Sequence, residues 1–288
     1  LDRRRFLKTA AGLAAGTAAG GAWTLLVEPG WLDVSRPVIP VAGLPRSFDG
    51  FTIGLVSDLH HGPFVGRSRI RAAVDELNRA SPDIVVLAGD YVLHDPGYIA
   101  PCMEELARIR GPVYAVLGNH DHWEDAALTS RLLVETVGAE LLVNRGAWIE
   151  RGGEVLRIWG VGDLWEDVQE IADARPGGFD GPLVLVSHNP DYAETVPEGL
   201  ADLMLCGHTH GGQVVLPFVG APMLPSYYGQ KYRAGLVWNR GTAVYVSRGI
   251  GVGSPPVRFR CRPELPVVEL SAAPPGSGFG GNGVTDEA

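Results

Sequence analysis

At 288 residues, 45% hydrophobic and 20% charged, the chain is long enough to bury a sizeable core, in one large domain or two small ones. A formal charge of −9 argues against a general nucleic-acid binder, which carries a basic patch. Three cysteines, Cys102, Cys206 and Cys261, are too few and too scattered for a disulfide framework or a CxxC metal site.

The N-terminus is basic, with Arg3, Arg4, Arg5 and Lys8 ahead of a weakly apolar Ala/Gly stretch from Thr9 to Ala22. A basic start, a modest apolar region and small residues at Gly20-Gly21-Ala22 describe an export signal. The segment resembles a twin-arginine signal, with Arg3-Arg4 as the pair, and departs from it at Asp2, where Ser or Thr is usual. That resemblance implies the twin-arginine export machinery as a partner. It implies a location across the cytoplasmic membrane, in the periplasm or cell envelope. The stretch is too weakly apolar for a membrane span. An uncleaved anchor running on through Trp23-Thr24-Leu25-Leu26-Val27, with membrane or envelope association, is the alternative.

Residues 28–50 hold four prolines and read as an extended lead-in. Phe51–Val56 predicts a strand, Arg67–Arg79 a helix with Ile70, Ala73, Val74 and Leu77 on one face, and Asp83–Ala88 a second strand. A helix over 100–110, a strand over Pro112–Leu117 and a helix over Ala126–Val137 follow. Strands alternating with helices at this spacing predict βαβ units and a parallel sheet. After Glu140 the pattern turns strand-rich, at 140–144, 146–150 and 155–160. A helix near 165–173, then strands at Pro182–Val186 and Leu203–Cys206, come next. Segments 213–217, 234–239, 242–247, 256–260 and 266–270 read as further strands. The expected organisation is a signal segment over 1–22, a lead-in over 23–50, one catalytic domain over 51–271 and a Gly/Pro/Ser-rich disordered tail over 272–288.

Five of the apolar runs end in polar clusters: Asp58/His60, Asp90, Asn119/His120, His188 and His208/His210. In the last, imidazoles at i and i+2 of an extended segment face the same way, and flanking glycines let backbone approach a ligand. Open α/β sheets bind ligands outside the carboxyl ends of their strands, so the five clusters converge there. Carboxylate and amide oxygens combined with imidazoles suit Mn, Fe or Zn. Seven ligands exceed one tetrahedral site. Two divalent ions sharing a bridging carboxylate are the natural solution, and such a pair activates a bridging water for in-line phosphoryl displacement.

Asp58-Leu59-His60, Gly89-Asp90, Gly118-Asn119-His120-Asp121, His188 and Gly207-His208-Thr209-His210 resemble the five signature blocks of the calcineurin-like metallophosphoesterases. Tyr228-Gly229-Gln230-Lys231-Tyr232, the stretch from Tyr245 to Gly251 and the stretch from Arg258 to Glu264 are similar to an exported bacterial phosphodiesterase subgroup. The resemblance implies an α/β fold, a four-layer α/β/β/α sandwich with its site at the sheet edge. It puts Asp58, His60 and His210 on one metal, Asn119, His188 and His208 on the other, and Asp90 between them. His120 becomes a non-ligand histidine facing the leaving group. Phosphoprotein phosphatases of this superfamily carry an Asp where this chain has Leu93, so a diesterase is favoured.

The expected activity is dinuclear-metal-dependent hydrolysis of phosphodiester or pyrophosphate bonds, by attack of a metal-bridging hydroxide, on small or envelope-derived molecules. A sharper variant is a UDP-diacylglucosamine-type glycolipid pyrophosphate hydrolase. The alternative of another class is an inactive metal-containing envelope-binding module. Trp123, Trp165, Tyr227 and Tyr228 are read as core aromatics before rim residues. His61, His94 and His122 receive no role beyond surface or support.

Overall fold

The computed structural model describes residues 3–273, and the expected tail lies outside the described residues from 274 onward. Helix α1 (Arg3–Ala22) continues as a π-helical turn, Trp23–Val27. The lead-in is less extended than its prolines suggest. It contains the short 3-10 turns Glu28–Gly30 and Arg46–Phe48 and supplies an edge strand, β1 (Val38–Val41).

The next elements are β2 (Thr52–Val56), α2 (Arg67–Ala80), β3 (Ile84–Leu87), α3 (Ile99–Leu106), β4 (Val113–Ala115), α4 (Asn119–Leu132) and β5 (Glu140–Leu141). They are followed by β6 (Arg145–Arg151), β7 (Glu154–Gly160), β8 (Leu183–Val186), β9 (Leu203–Cys206), β10 (Gly235–Asn239), β11 (Thr242–Val246) and β12 (Val267–Ala272). Two six-stranded mixed sheets result, in the orders β1-β12-β2-β3-β4-β5 and β10-β11-β9-β8-β7-β6. In each, four consecutive strands run parallel, β2 to β5 in the first and β7, β8, β9 and β11 in the second.

The sheets pack face to face over Ile53, Leu55, Val86, Ile158, Val184 and Leu205. β3, β8 and β9 are four-residue apolar runs buried along their whole length, as parallel strands covered on both faces must be. Outside the first sheet, α2 lays Ile70, Ala73, Val74 and Leu77 on Val85 and Leu87. It ends at Ser81, in the left-handed region at φ 51°, whose N–H caps the Leu77 carbonyl. Outside the second sheet, the covering layer is mostly turns, including the 3-10 segment Pro190–Glu194 that buries Tyr192 and Ala193.

Several elements differ from the sequence expectation. The helix expected near 165–173 is absent. Asp163 Oδ1 accepts from the N–H groups of Trp165 and Glu166, and Gln169 Nε2 donates to the Asp163 carbonyl, so side chains take the bonds a helix would need. The strands expected at 213–217 and 256–260 shrink to isolated bridges, Val214 with Phe259 and Leu216 with Gly220. Pro217, Pro255 and Pro256 lack the N–H that a longer ladder requires. Helix α4 begins at Asn119, not at Ala126, with a kink at Asp125 (φ −167°), whose carboxylate accepts from Leu128 N–H and restarts the helix.

Candidate metal centre

Each carboxyl end of β2, β3, β4, β8 and β9 leaves its sheet in a tight polar turn. Asp58, His60, Asp90, His208 and His210 all hold positive φ, between 48° and 71°. Residues with side chains avoid this region, and clusters of them mark functional sites. Backbone bonds over-determine the strain. Asp58 N–H donates to Gly89 O, His60 N–H to Asp90 O, and Gly251 N–H to Asp58 O. Gly249, itself at φ 68°, lies so close that a Cβ there would stand 2.6 Å from Asp58 Cβ.

The seven residues named from sequence come together from both sheets, and all seven are buried. Asp58, His60 and His210 form one group of donor atoms and Asp90, His188 and His208 another, each within 4.8 Å. His210 Nε2 lies 2.9 Å from His60 Nε2 and 3.4 Å from Asp58 Oδ1. His208 Nδ1 lies 3.2 Å from His188 Nε2. Asp90 Oδ2 stands between the groups, 3.5 Å from His60 Nε2 and 3.2 Å from His188 Nε2. Asn119 Oδ1 is buried without a hydrogen-bond partner among the described residues and lines the same cleft.

His120 is also within reach of a metal, in a third group with His60 and Asp90. Its backbone N–H donates to Asp90 Oδ1, and its ring packs edge-on against Trp123, centroids 4.5 Å apart. Burial pushes its pKa down.

The electrostatics suit cations. Burial lowers His60 and His208 to about 3, and His210 well below its usual value, so these rings keep free lone pairs at neutral pH. Burial opposes ionisation of Asp90, but His188 and His60 outweigh it and hold the carboxyl well below its usual range. Burial likewise opposes charge on His188, yet Asp90, Asp58 and Asp163 raise its pKa. Asp58 is pushed up to about 6, by burial first and then by Asp90. Opposed imidazole nitrogens at 2.9 and 3.2 Å, an orphaned amide oxygen and a carboxylate between two donor sets are what two divalent ions would satisfy.

Three supporting residues received no role in the sequence reading. Asp121 accepts from the N–H groups of Asp90, Tyr91 and Gly118, tying the β3 turn to the β4 turn. Asp163 follows β7 as Asp90 follows β3, so the rule of a polar residue after an apolar run reaches it. It orients Trp165, whose ring packs edge-on against His208 at 4.4 Å. Arg258, fully buried, donates to backbone carbonyls around the Asp58 turn, which no local pattern announces.

The aromatics differ from expectation. Trp123 and Trp165 stand at the rim of the cleft, about half exposed, and Glu166 accepts from Trp123 Nε1. Tyr227 and Tyr228 are exposed and not in the core. His61 is buried, its Nδ1 2.7 Å from Val65 O, while His94 lies on the surface near Ser254. His122 Nε2 is buried without a hydrogen-bond partner among the described residues. The cleft, about 800 Å³, extends from the metal ligands along an apolar wall of Val214, Met223, Leu224 and Val257.

Residues 51–212 match the Calcineurin-like phosphoesterase family. Phosphodiesterase YaeI of Escherichia coli (strain K12) is 34% identical over 277 residues, covering 94% of this chain and 99% of that one. The uncharacterized metallophosphoesterase YkuE of Bacillus subtilis (strain 168) is 30% identical over 283 residues, covering 94% and 98%. Among solved structures, TT1561 of Thermus thermophilus aligns at 13% identity with a TM-score of 0.46, covering 69% of this chain and 90% of that one.

Proposed function

Because the chain belongs to the calcineurin-like phosphoesterases, and is a metal-dependent hydrolase of phosphoester bonds with two divalent-metal sites, we propose that it prefers phosphodiesters and pyrophosphates. The two-ion chemistry rests on the position of Asp90 Oδ2 between a histidine of each donor set, at 3.5 and 3.2 Å, and the diester preference on Leu93 at the position of the phosphatases' Asp. Asp58, His60 and His210 would hold one ion, Asn119, His188 and His208 the other, and Asp90 would be shared between them. Divalent ions so placed supply Lewis acidity, lowering the pKa of a shared water and neutralising phosphoryl charge.

The chain's own residues do the rest. His120, kept out of both ligand sets, faces the departing oxygen and donates its proton, a contribution of roughly 10²–10⁴-fold. Leu93 is buried where phosphoprotein phosphatases place an orienting Asp, and here the Trp123 ring holds His120 instead. Trp123 and Trp165 flank the entry and limit water around the reacting phosphate. The apolar wall of the cleft supports a second reading, a glycolipid pyrophosphate of the UDP-diacylglucosamine type, whose acyl chains would lie along Val214, Met223 and Leu224.

The proposed organisation places an export segment over 1–22 and the catalytic domain over 51–271. Arg3-Arg4 at the start of α1 supports twin-arginine export to the periplasm or envelope. Among the described residues no helix is long and apolar enough to cross a membrane.

The test is turnover of bis(p-nitrophenyl) phosphate with Mn, compared with p-nitrophenyl phosphate and a UDP-linked lipid. Diester hydrolysis abolished by chelation and restored by metal is expected. Faster turnover of the monoester would overturn the diesterase preference, and no turnover with both ions bound would favour the inactive module.

A further inference from the structure

From Gly211 to Gln230 the chain has no charged residue, twenty positions in a protein that is 20% charged. This excursion leaves the His208–His210 turn and returns to β10, and it is stiff. Leu216 and Gly220 exchange backbone hydrogen bonds of 2.8 and 3.0 Å, closing a turn with Pro217, Phe218 and Val219 at its tip. The Gln230 side chain brackets Ala221 N–H and C=O, while the Asp191 carboxylate accepts from Ser226 Oγ and Tyr227 N–H. The exposure of its apolar side chains is therefore built in. Phe218 is fully exposed, Met223 78% and Tyr227 83%. Large apolar groups held together in water by a braced loop mark an interaction surface.

Three further observations say which kind. First, Phe259 pairs with Gln213 and Val215, and Arg258 N–H donates to Thr24 O. The turn Trp23–Val27, with Leu25 and Leu26 more than half exposed, is thereby fixed to the strand segment that borders the loop. Second, the inner side of the loop is the cleft wall, where Met223 and Leu224 share the lining with Pro255 and Val257. Third, Arg260 beside Phe259 is exposed, and no ion-pair partner is seen for it among the described residues. A convex, uncharged strip with a cation at its border fits the interfacial zone of a bilayer, where apolar side chains enter and basic ones meet lipid phosphates. Elsewhere the net charge of −9 would repel an anionic membrane.

We propose that the 211–230 loop, with the Trp23–Val27 turn beside it, docks the mouth of the cleft onto a lipid bilayer containing anionic lipid. Phe218 and Val219 enter the interface and Arg260 meets the headgroups. The docking is independent of the phosphoesterase reading. Its consequence, that a lipid-borne phosphodiester reaches the cleft without leaving the membrane, rests on that reading.

The test is flotation of the full chain with phosphatidylcholine vesicles, with and without phosphatidylglycerol. The wild type should float with the anionic vesicles. The double variant Phe218→Asp/Val219→Asp should bind about tenfold more weakly or worse, since two apolar side chains no longer enter the interface. It should keep the wild-type melting temperature and soluble-diester turnover. Arg260→Glu should lose the preference for anionic lipid. Wild-type chain that stays with the soluble fraction would overturn the proposal, as would a double variant that floats equally well. A concentration-dependent dimer in sedimentation, dissociated by the double variant, would overturn it in favour of a second copy on the strip. Flotation needs no turnover, so failure of the enzymatic reading would leave this result intact.

Discussion

Removing the Arg258 guanidinium should destabilise the whole site without replacing a metal ligand. The side chain is completely buried, and apart from one contact of Nη1 with Cys261 Sγ at 3.8 Å its hydrogen bonds run to backbone. Nε donates to Gly251 O at 3.1 Å. Nη1 reaches Cys261 O at 3.1 Å and His210 O at 3.4 Å. Nη2 reaches Arg248 O, Gly249 O and Gly251 O at 2.8, 3.1 and 2.6 Å. The Arg248, Gly249 and Gly251 carbonyls belong to the segment whose Ile250 and Gly251 N–H groups hold Ser57 O and Asp58 O, and so hold the turn that aims Asp58. Arg258→Met keeps the apolar stem and removes every donor. Each charged hydrogen bond contributes roughly 1.5–3 kcal/mol, but losses around one group do not add, and the variant is spared the burial of a cation. A net loss of about 3–5 kcal/mol follows, near 10 °C in Tm for a chain of this size. Urea unfolding in the presence of chelator isolates this effect from metal binding. The midpoint should fall with the slope unchanged, and Arg258→Lys should recover part of the loss. A loss below about 1 kcal/mol in the Met variant would refute the idea that these carbonyls depend on the guanidinium.

Three other outcomes are expected. Asp90→Ala should lower both metal occupancies together, whereas Asn119→Ala should chiefly weaken one ion; elemental analysis showing near-full metal in the Asp90 variant would sink the bridging assignment. His120→Ala should lose roughly 10²–10⁴-fold on alkyl diesters and much less on p-nitrophenyl diesters, whose leaving group departs without a proton. Equal losses would point to charge stabilisation, and lost metal would make His120 a ligand. Replacing Arg3 and Arg4 together with Lys should hold the folded protein inside the cell, and unchanged export in a fractionation assay would rule out twin-arginine recognition.

The parts of this fold that are legible in sequence share a physical reason. β3, β8 and β9 are continuous apolar runs because both faces are covered, and the polar residue after each run marks where the strand leaves the sheet. α2 shows itself by a four-residue apolar face at helical spacing. Residues 165–173 look helical by the same test and are not, since periodicity does not register that Asp163 and Gln169 satisfy the backbone locally. Trp123 and Trp165 look like core because hydrophobicity alone cannot separate a buried aromatic from one lining an open cleft. Arg258 is the clearest case beyond reach. Its partners are carbonyls from Arg248 to Cys261 and at His210, a set that only the folded turns bring together.

The donor atoms of this centre are divided between the two sheets. Asp58, His60, Asp90 and Asn119 follow strands of the first, and His188, His208 and His210 follow strands of the second. An ion bound by both sets would act as a rivet across the seam of the sandwich, since neither sheet alone would offer it a complete site. Metal affinity and sheet docking are then two faces of one equilibrium. Each ion adds about 4 kcal/mol to the closed sandwich when its free concentration is a thousandfold above its Kd. A cell that starves this protein of metal would thus shorten its lifetime as well as its activity, because proteases meet the loosened seam.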